Sequence, residues 1–234
     1  MTDAWTPPSH GALDETAWPE RLVAKAVSRG DSDDRLHGYA LLGDLARHYS
    51  FSDVLFSGLT GELPDRAASR RFALALLASA PTSVAEAPTH VALLGRIAGG
   101  AFSAALGAGL LSLADQARSK TEHHAALVAW FADPSGELPA CACDATGADR
   151  AWIASLQATL GGEATLVRAG MSRDAAKLAL FADAGIREPE RVQAALTVAG
   201  SLGVIAEALL AGPSGLGAYP VTLPPFHYIE PDHS

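Results

Sequence analysis

Two cysteines one residue apart are the first residues whose type and spacing suggest chemistry. Cys141 and Cys143 are followed by Asp144, and His124 lies earlier in the chain. Thiolate, imidazole and carboxylate groups are the usual ligands of zinc, so this set is a candidate metal site. A lone C-x-C without a second paired motif is a weak zinc signature. The sequence therefore favours a loop with two ordinary thiols and predicts no metal.

The cysteines and the charge balance also bear on the cellular setting. A spacing of one residue makes a poor disulfide, and a chain of 234 residues does not need one. The first residues lack a basic region followed by an apolar stretch, so no secretory signal is predicted. The net charge of −9 would repel nucleic acid and anionic membranes. We expect a cytoplasmic protein whose partners are small molecules or other proteins.

The elements that position these residues are predicted to be helices. The chain is 49% hydrophobic but only 6% aromatic, a composition that suits helices packed through small side chains. Apolar residues follow a helical spacing from about residue 41 onward, and no alternation typical of strands persists. The longest apolar runs, residues 101–114 and 194–206, are shorter than the roughly 20 residues that span a bilayer. The sequence predicts an all-α protein in which both runs form buried helices.

Caps and helix breakers set the predicted boundaries. Ser52 and Ser172 are expected N-caps, and Pro64–Asp65 begins another helix. Gly107 and Gly109 lie inside one predicted helix, where glycine lowers helix propensity, which indicates that another backbone comes close. The predicted helices of the later chain cover residues 90–98, 103–118, 122–132, 149–160, 172–184 and 188–210.

An ordered series of motifs resembles the citrate synthase family. The matching residues between positions 33 and 65 are Gly38-Tyr39, Leu45, Ser50-Phe51, Asp53-Val54, Phe56, Gly58 and Gly61-Glu62-Leu63-Pro64. The run AALGAGLLSLA at 104–114 resembles the family's GLL helix, and Ala148-Asp149-Arg150 resembles its D-P-R motif. Residues 166–185 and 198–212 are similar to its closing helices. The resemblance covers about 33–229, and at this length it is closer to short citryl-CoA lyases than to full-length citrate synthase.

The resemblance implies an architecture. It predicts an all-α, citrate-synthase-like helical fold, with a large helical core and a small helical subdomain. The predicted divisions are a lead-in at 1–32, a helical domain at 33–211 with the smaller subdomain at about 121–185, and an extended arm at 212–234. It also implies a two-fold dimer, with itself or with a related chain, built on the helices at 103–118 and 188–210. A coenzyme A thioester is the implied substrate, and no covalent cofactor is expected.

The family's chemistry needs groups that this sequence lacks at the matching places. The family makes or breaks a carbon–carbon bond beside a thioester, using one carboxylate as base, two histidines and several arginines. Removing one such group costs a factor of about 10² to 10³ in rate. Arg150 remains from the polar set and is the candidate for holding the nucleotide. The other expected positions hold Ala117, Cys143-Asp144, Thr159, Gly200, Glu207 and His37.

Three residues are candidate substitutes for the missing catalytic groups. His123 and His124 lie shortly after the first expected histidine position, and a loop shift would bring one of them into the site. The alternative is a solvated pair at the start of a helix. Glu163 lies near the lost aspartate position and is a candidate general base, or else an acidic residue that favours the first turn of a helix.

Two functions stay open at this point. In one, the chain is a citrate synthase or citryl-CoA lyase-like protein by descent, with impaired carbon–carbon bond chemistry. In the other, it is a non-catalytic paralogue that acts as a dimer partner or binds a coenzyme A-like ligand without turning it over. The substituted residues favour the second function, and the resemblance to the family favours the first.

Overall fold

The computed structural model describes residues 23–160, 162–215 and 217. The chain divides into two compact units, one up to Ser50 and one from Phe51 onward. The predicted lead-in lies mostly outside the described residues, as does most of the predicted arm, of which 212–215 and 217 are described. The predicted boundary at residue 32 and the smaller subdomain at 121–185 stay predictions.

The first unit contains a small antiparallel sheet that the sequence did not predict. Its strands are β1 (Val27–Ser28), β2 (Arg35–Leu36) and β3 (Tyr39–Ala40). Strands of two residues are too short to show alternation, so the expectation of no strand was wrong here. The turn between β2 and β3 consists of His37 and Gly38, both with positive φ, as a two-residue hairpin requires.

An aspartate closes this hairpin onto the turn that follows it. The Asp33 carboxylate accepts from the backbone N–H groups of Leu42 and Gly43, with shortest distances of 3.0 and 2.8 Å. These bonds lower the pKa of Asp33, because they stabilise the charged form. A π-helical turn at Leu41–Leu45 and the short helix α1 (Ala46–His48) complete the unit.

The second unit is helical, which confirms the predicted all-α class. Ser172 caps α8 as predicted, by accepting from Ala175 N, and α5 extends five residues beyond its predicted end at 118. The helices are α2 (Phe51–Thr60), α3 (Arg66–Ser79), α4 (Ala87–Ile97), α5 (Phe102–His123), α6 (Ala125–Trp130), α7 (Gly147–Leu160), α8 (Arg173–Asp183) and α9 (Pro189–Leu210).

An aromatic core holds α2, α3 and α8 together. Phe72 of α3 is fully buried and meets Phe56 edge to face, with ring centroids 5.4 Å apart. The centroid of Phe181 on α8 lies 6.1 Å from that of Phe72 on another side. Offset and edge contacts of this kind are favourable beyond the area they bury. Much of the buried apolar volume of the second unit gathers around these rings.

A glycine seam joins α4, α5 and α9. A Cβ on Gly109 of α5 would lie 2.8 Å from Val204 and 2.9 Å from both Ala92 and the Pro88 carbonyl. The close backbone approach predicted from the small residues of this helix is therefore present within the chain. No atom would come within 4 Å of a Cβ on Gly107. Packing inside one chain thus explains Gly109, and the dimer interface predicted on α5 and α9 stays a prediction.

Helix α9 begins and ends within one residue of its predicted bounds 188–210, and it is long and apolar. It runs for 22 residues with a mean hydropathy of 1.6, and by length and composition alone it could cross a membrane. The expectation that every apolar segment is too short was therefore wrong for α9, because it counted only the uninterrupted run at 194–206. The helix packs on α3, α4 and α5. Only 33% of its apolar window is buried in this chain, so α9 is not a wholly buried core helix.

Candidate functional site

A cleft of about 880 Å³ opens in the second unit. The cleft forms where the junction of α5 and α6 lies beside the start of α8. The backbone leaves helical geometry at His124, between α5 and α6, and α8 begins where Ser172 N donates to the Ala142 carbonyl at 2.8 Å. The ionisable and thiol side chains that line it are Glu86, Lys120, His123, His124, Cys141, Asp144, Asp149, Arg173, Asp174, Lys177 and Glu207.

Both predicted histidines lie in the cleft. The two rings meet edge to face, with centroids 4.8 Å apart. His124 is 5% exposed, and its Nδ1 lies 2.9 Å from the Lys120 carbonyl oxygen. Because a carbonyl oxygen only accepts, Nδ1 carries the proton and Nε2 of the neutral ring is left as a base. His123 is the last residue of α5 and His124 is the N-cap of α6, so the pair does lie at the start of a helix, but His124 is buried and not solvated.

A network of lysines and carboxylates forms the opposite wall. The Nζ atom of Lys120 lies 3.1 Å from Asp174 Oδ1 and 3.7 Å from Glu86 Oε2. The Nζ atom of Lys177 lies 3.8 Å from the same oxygen of Asp174. Gln116 donates to Glu86 at 3.2 Å. The network therefore ties α5, α8 and the loop before α4 together.

A second ion pair lies at the start of α8. Arg173 Nε lies 3.5 Å from Asp149 Oδ1, and its guanidinium stacks over Trp152 at 5.3 Å. Thr146 donates its hydroxyl and its N–H to Asp149 Oδ2, at 2.8 and 3.0 Å. These bonds are the main cause that lowers the pKa of Asp149. Every cation that lines the cleft is thus engaged by a carboxylate of the cleft.

The floor of the cleft narrows to a recess of about 30 Å³. This volume holds one or two water molecules at most. Leu113, Leu178 and Leu196 form its apolar wall, and Lys120 and Lys177 reach it from the cleft. The recess lies where the aromatic core meets the glycine seam.

Several of the positions where the resemblance places chemistry gather here. Asp144 and Glu207 line the cleft. Ala117 and Gly200, which stand at the expected first histidine and a substrate-holding arginine, line the recess. The chain therefore keeps a concave site at these places, with different side chains in it.

Other predicted residues lie away from the cleft. Glu163 is in the loop between α7 and α8, where its carboxylate pairs with Arg70 Nε at 3.2 Å. Arg150 donates to the Ala145 carbonyl at 3.4 Å and does not line the cleft. Thr159 lines a separate shallow groove between α3 and α7. Glu163 lies between the end of α7 and the start of α8, so a role in the first turn of a helix does not explain that residue.

Three of the four candidate zinc residues, His124, Cys141 and Asp144, line the cleft. Cys141 lines the cleft, whereas Cys143 is exposed with its Sγ 3.5 Å from the Pro139 carbonyl. Within the described ranges, no three His, Cys, Asp or Glu side chains are arranged to hold a metal ion.

The lysines were missed by sequence reasoning, although a signal was present. The chain contains only three lysines, Lys25, Lys120 and Lys177. Lys177 follows Asp174 at a spacing that puts both on one face of α8, directly after the Ser172 cap. Lysine is rare in this chain compared with arginine. A lysine beside an aspartate at the start of a helix was therefore a signal that could have marked Lys177 as a functional candidate.

Comparison with solved structures identifies the fold of this chain. No family model matches this sequence, and no curated protein matches it. Among solved structures, citryl-CoA lyase from Hydrogenobacter thermophilus matches with a TM-score of 0.58 and 15% identity, over 90% of this chain and 98% of that one. The chain has a citrate-synthase-like fold. At this identity the likeness establishes the fold and leaves the activity open.

Two further structures share the citrate-synthase-like fold. ATP citrate lyase from Methanothrix soehngenii, in complex with citrate and coenzyme A, matches with a TM-score of 0.57 and 14% identity. The D541A mutant of Methanosaeta concilii ATP citrate lyase, in complex with (3S)-citryl-CoA, matches with a TM-score of 0.57 and 15% identity. Each match covers 100% of this chain and 47% of the other, so this chain spans about half the length of those lyases. The resemblance predicted from the motifs is confirmed for the fold.

Proposed function

We propose that this chain descends from enzymes of citryl-CoA carbon–carbon bond chemistry and that this chemistry is impaired in it. The observation that carries the proposal is the charge balance of the cleft. Five carboxylates and three cations line it among the described residues. A tricarboxylate ligand needs free arginines or lysines, and here each cation is already paired with a carboxylate. The cleft suits the fold's usual ligands poorly.

One base is still present in the cleft. His124 has the tautomer that leaves Nε2 free to take a proton, and it is held by the Lys120 carbonyl. We propose His124, with His123 beside it, as the residue pair on which any residual turnover depends. Glu163 was the third candidate base, but its carboxylate pairs with Arg70 outside the cleft, so we expect turnover not to depend on it.

A direct assay tests the impairment. We expect citryl-CoA cleavage, and the condensation of acetyl-CoA with oxaloacetate, to run at least about 10² to 10³ times slower than in the Hydrogenobacter thermophilus lyase measured beside it. Any residual rate should fall in His124→Ala and stay in Glu163→Gln. His48→Ala, in the other unit, is the matched control. A rate equal to that of the lyase would refute the proposal, and a residual rate unchanged in His123→Ala and His124→Ala would refute the roles given to them.

Coenzyme A binding is a separate question, and thermal unfolding answers it. The ATP citrate lyase structures hold coenzyme A or (3S)-citryl-CoA, and the ligand chemistry proposed for this chain is the same thioester class. If Arg150 holds the nucleotide, coenzyme A should raise the unfolding temperature of the wild type and not of Arg150→Ala. Equal shifts in both proteins would remove Arg150 from the binding site.

A second candidate function, as a dimer partner, is favoured by an apolar stripe on α9. Val198, Leu202, Ile205 and Leu209 recur at helical spacing, and Val198, Leu202 and Leu209 are exposed in the single chain. Leu111 on α5 is exposed as well. Such a stripe is typical of a surface that a partner covers. The partner in this proposal is a second copy or a related chain of the same fold.

Molecular mass in solution tests the partner role. We expect twice the chain mass by light scattering for the wild type, or co-purification with an intact chain of the same fold. Leu202→Glu should give a monomer, because it places a charge in the stripe. Leu77→Glu, at an equally exposed leucine on α3, is the matched control and should not change the mass. A wild type that is monomeric at all concentrations and binds no related chain would end this second candidate.

A further inference from the structure

The two lysines at the floor of the cleft have no part in the proposed citryl-CoA chemistry. Both amines share one carboxylate oxygen, Asp174 Oδ1, at 3.1 Å from Lys120 and 3.8 Å from Lys177. We propose that the Lys177 amine is a nucleophile that captures a small uncharged aldehyde or ketone in the cleft as an imine. The proposal stands apart from the citryl-CoA function and does not require it.

The surroundings of Lys177 distinguish it from an ordinary surface lysine. Only 13% of its side chain is exposed, and Leu178 and Leu196 line the recess beside it. Burial lowers the pKa of Lys177, because the charged form loses its hydration. The charges that face it are Asp174 and Glu86, which raise this pKa, and Lys120 and Arg173, which lower it.

The neighbouring lysine is held differently. The Nζ atom of Lys120 has carboxylates on two sides, Asp174 at 3.1 Å and Glu86 at 3.7 Å, whereas that of Lys177 pairs with Asp174 at 3.8 Å. A cation kept beside a buried amine is an established way to leave that amine neutral and nucleophilic. Lys120 is thus the cation beside Lys177, and the buried amine of Lys177 is the nucleophile.

The reaction is balanced by groups already in the cleft. The neutral Nζ of Lys177 attacks the carbonyl carbon, a C–N bond forms, and the carbonyl oxygen takes up a proton. The nitrogen of this adduct gives one proton to Asp174, whose Oδ1 lies 3.8 Å from the Lys177 Nζ. That proton and the hydroxyl group leave as water while the C=N bond forms. With one proton taken from solvent the product is a protonated imine, and no oxidant or reductant is consumed.

The cleft also limits the class of carbonyl compound. Carboxylates outnumber cations around it, so a ligand with several carboxylates would be repelled. Its volume of about 880 Å³ admits a small molecule with ease, and the recess beyond Lys177 admits only water. An aldehyde or ketone without carboxylates is the ligand that these features fit.

Imine trapping on the whole chain tests the proposal. The protein is incubated at pH 7 with propanal and cyanoborohydride, which reduces an imine to a stable amine, and the adducts are located by peptide mass mapping. The three lysines compete within one molecule, so the exposed Lys25 serves as internal control. We expect Lys177 to carry several-fold more adduct than Lys25. Equal labelling, or labelling that favours Lys25, would overturn the nucleophile.

Two further arms sharpen the result. Lys120→Met removes a charge that keeps Lys177 neutral and should reduce its labelling, whereas Lys120→Arg keeps the charge and should preserve it. Labelling unchanged in Lys120→Met would overturn the part given to Lys120. Oxaloacetate in place of propanal should give a lower ratio of Lys177 to Lys25 adduct. A higher ratio would overturn the uncharged ligand class.

Discussion

The aromatic core and the glycine seam pack helices in opposite ways. Around Phe72 the space between α2, α3 and α8 is filled by large rings, whereas at Gly109 the helices α4, α5 and α9 touch because a side chain is missing. The N-terminal caps of the helices also differ between the aromatic core and the glycine seam. Helices α3 and α8 have side-chain N-caps, Asp65 and Ser172, while α4, α5 and α9 have none. One region thus tolerates lost contacts poorly, and the other tolerates added atoms poorly.

Removing a ring from the aromatic core should have the largest effect. Phe72→Ala leaves a cavity among fully buried neighbours and is expected to lower the free energy of unfolding by about 3–5 kcal/mol. Urea unfolding followed by circular dichroism measures it. The matched control is Leu77→Ala on the same helix, where the side chain is exposed and the loss should stay within about 0.5 kcal/mol. Similar losses in both variants would show that the rings do not hold this region together.

Adding one methyl group to the seam should come next. Gly109→Ala forces a Cβ to within 2.9 Å of the Pro88 carbonyl, and overpacking of this kind costs about 1–3 kcal/mol. Gly107→Ala, two residues earlier on α5, meets open space and should stabilise the chain by about 0.5–1 kcal/mol. A loss of stability in Gly109→Ala together with a gain in Gly107→Ala would identify the close helix contact at Gly109. A Gly109→Ala variant as stable as the wild type would mean that the helices can separate there without loss.

The caps give a smaller and symmetrical test. Asp65 accepts from Ala68 N at 2.8 Å, and Asp65→Ala should cost about 1 kcal/mol. Ala101 occupies the N-cap of α5 without a side-chain bond, so Ala101→Ser should gain a few tenths to about 1 kcal/mol. Thermal unfolding of the two single variants measures both changes. If Ala101→Ser brings no gain, α5 is held at its start by packing alone.

The sequence predicted the features that depend on local signals and missed those that depend on tertiary packing. Local signals were sufficient for two of three predicted helix starts: Asp65 and Ser172 begin α3 and α8 as expected, whereas α2 already begins at Phe51, so Ser52 is inside it. The small residues of α5 did indicate a close backbone. The partner of that backbone is set by tertiary packing, so the sequence could not show that Gly109 packs against α4 and α9 of the same chain. The dimer on these helices stays a prediction. The hairpin at His37-Gly38 was missed because its strands have only two residues each.

The cleft was predicted less completely than the fold. His123 and His124 were singled out by their position in the chain, and they do line it. Lys177 was missed, because its distinction comes from burial and from Lys120, which lies 57 residues earlier on another helix. Glu163 shows the converse, since its place in the sequence suggested a base while its contact is an ion pair with Arg70. Electrostatic context across helices has no local signature.

Helix α8 lies between the two packing regions and carries Lys177. The smallest expected effect is the change with pH in the stability that Lys177 contributes. Its pKa in the folded chain lies below the ordinary 10.5 because of burial. Between these two values the unfolded chain binds more protons, so the free energy of unfolding rises as pH increases toward 10.5. The stability difference between wild type and Lys177→Met, measured by urea unfolding at pH 7, 8.5 and 10, should therefore shift in favour of the wild type as pH rises. Lys25→Met, at an exposed lysine, should run parallel to the wild type. If the free energy of unfolding of Lys177→Met also changes with pH in parallel with that of the wild type, the pKa of Lys177 is not lowered in the folded chain.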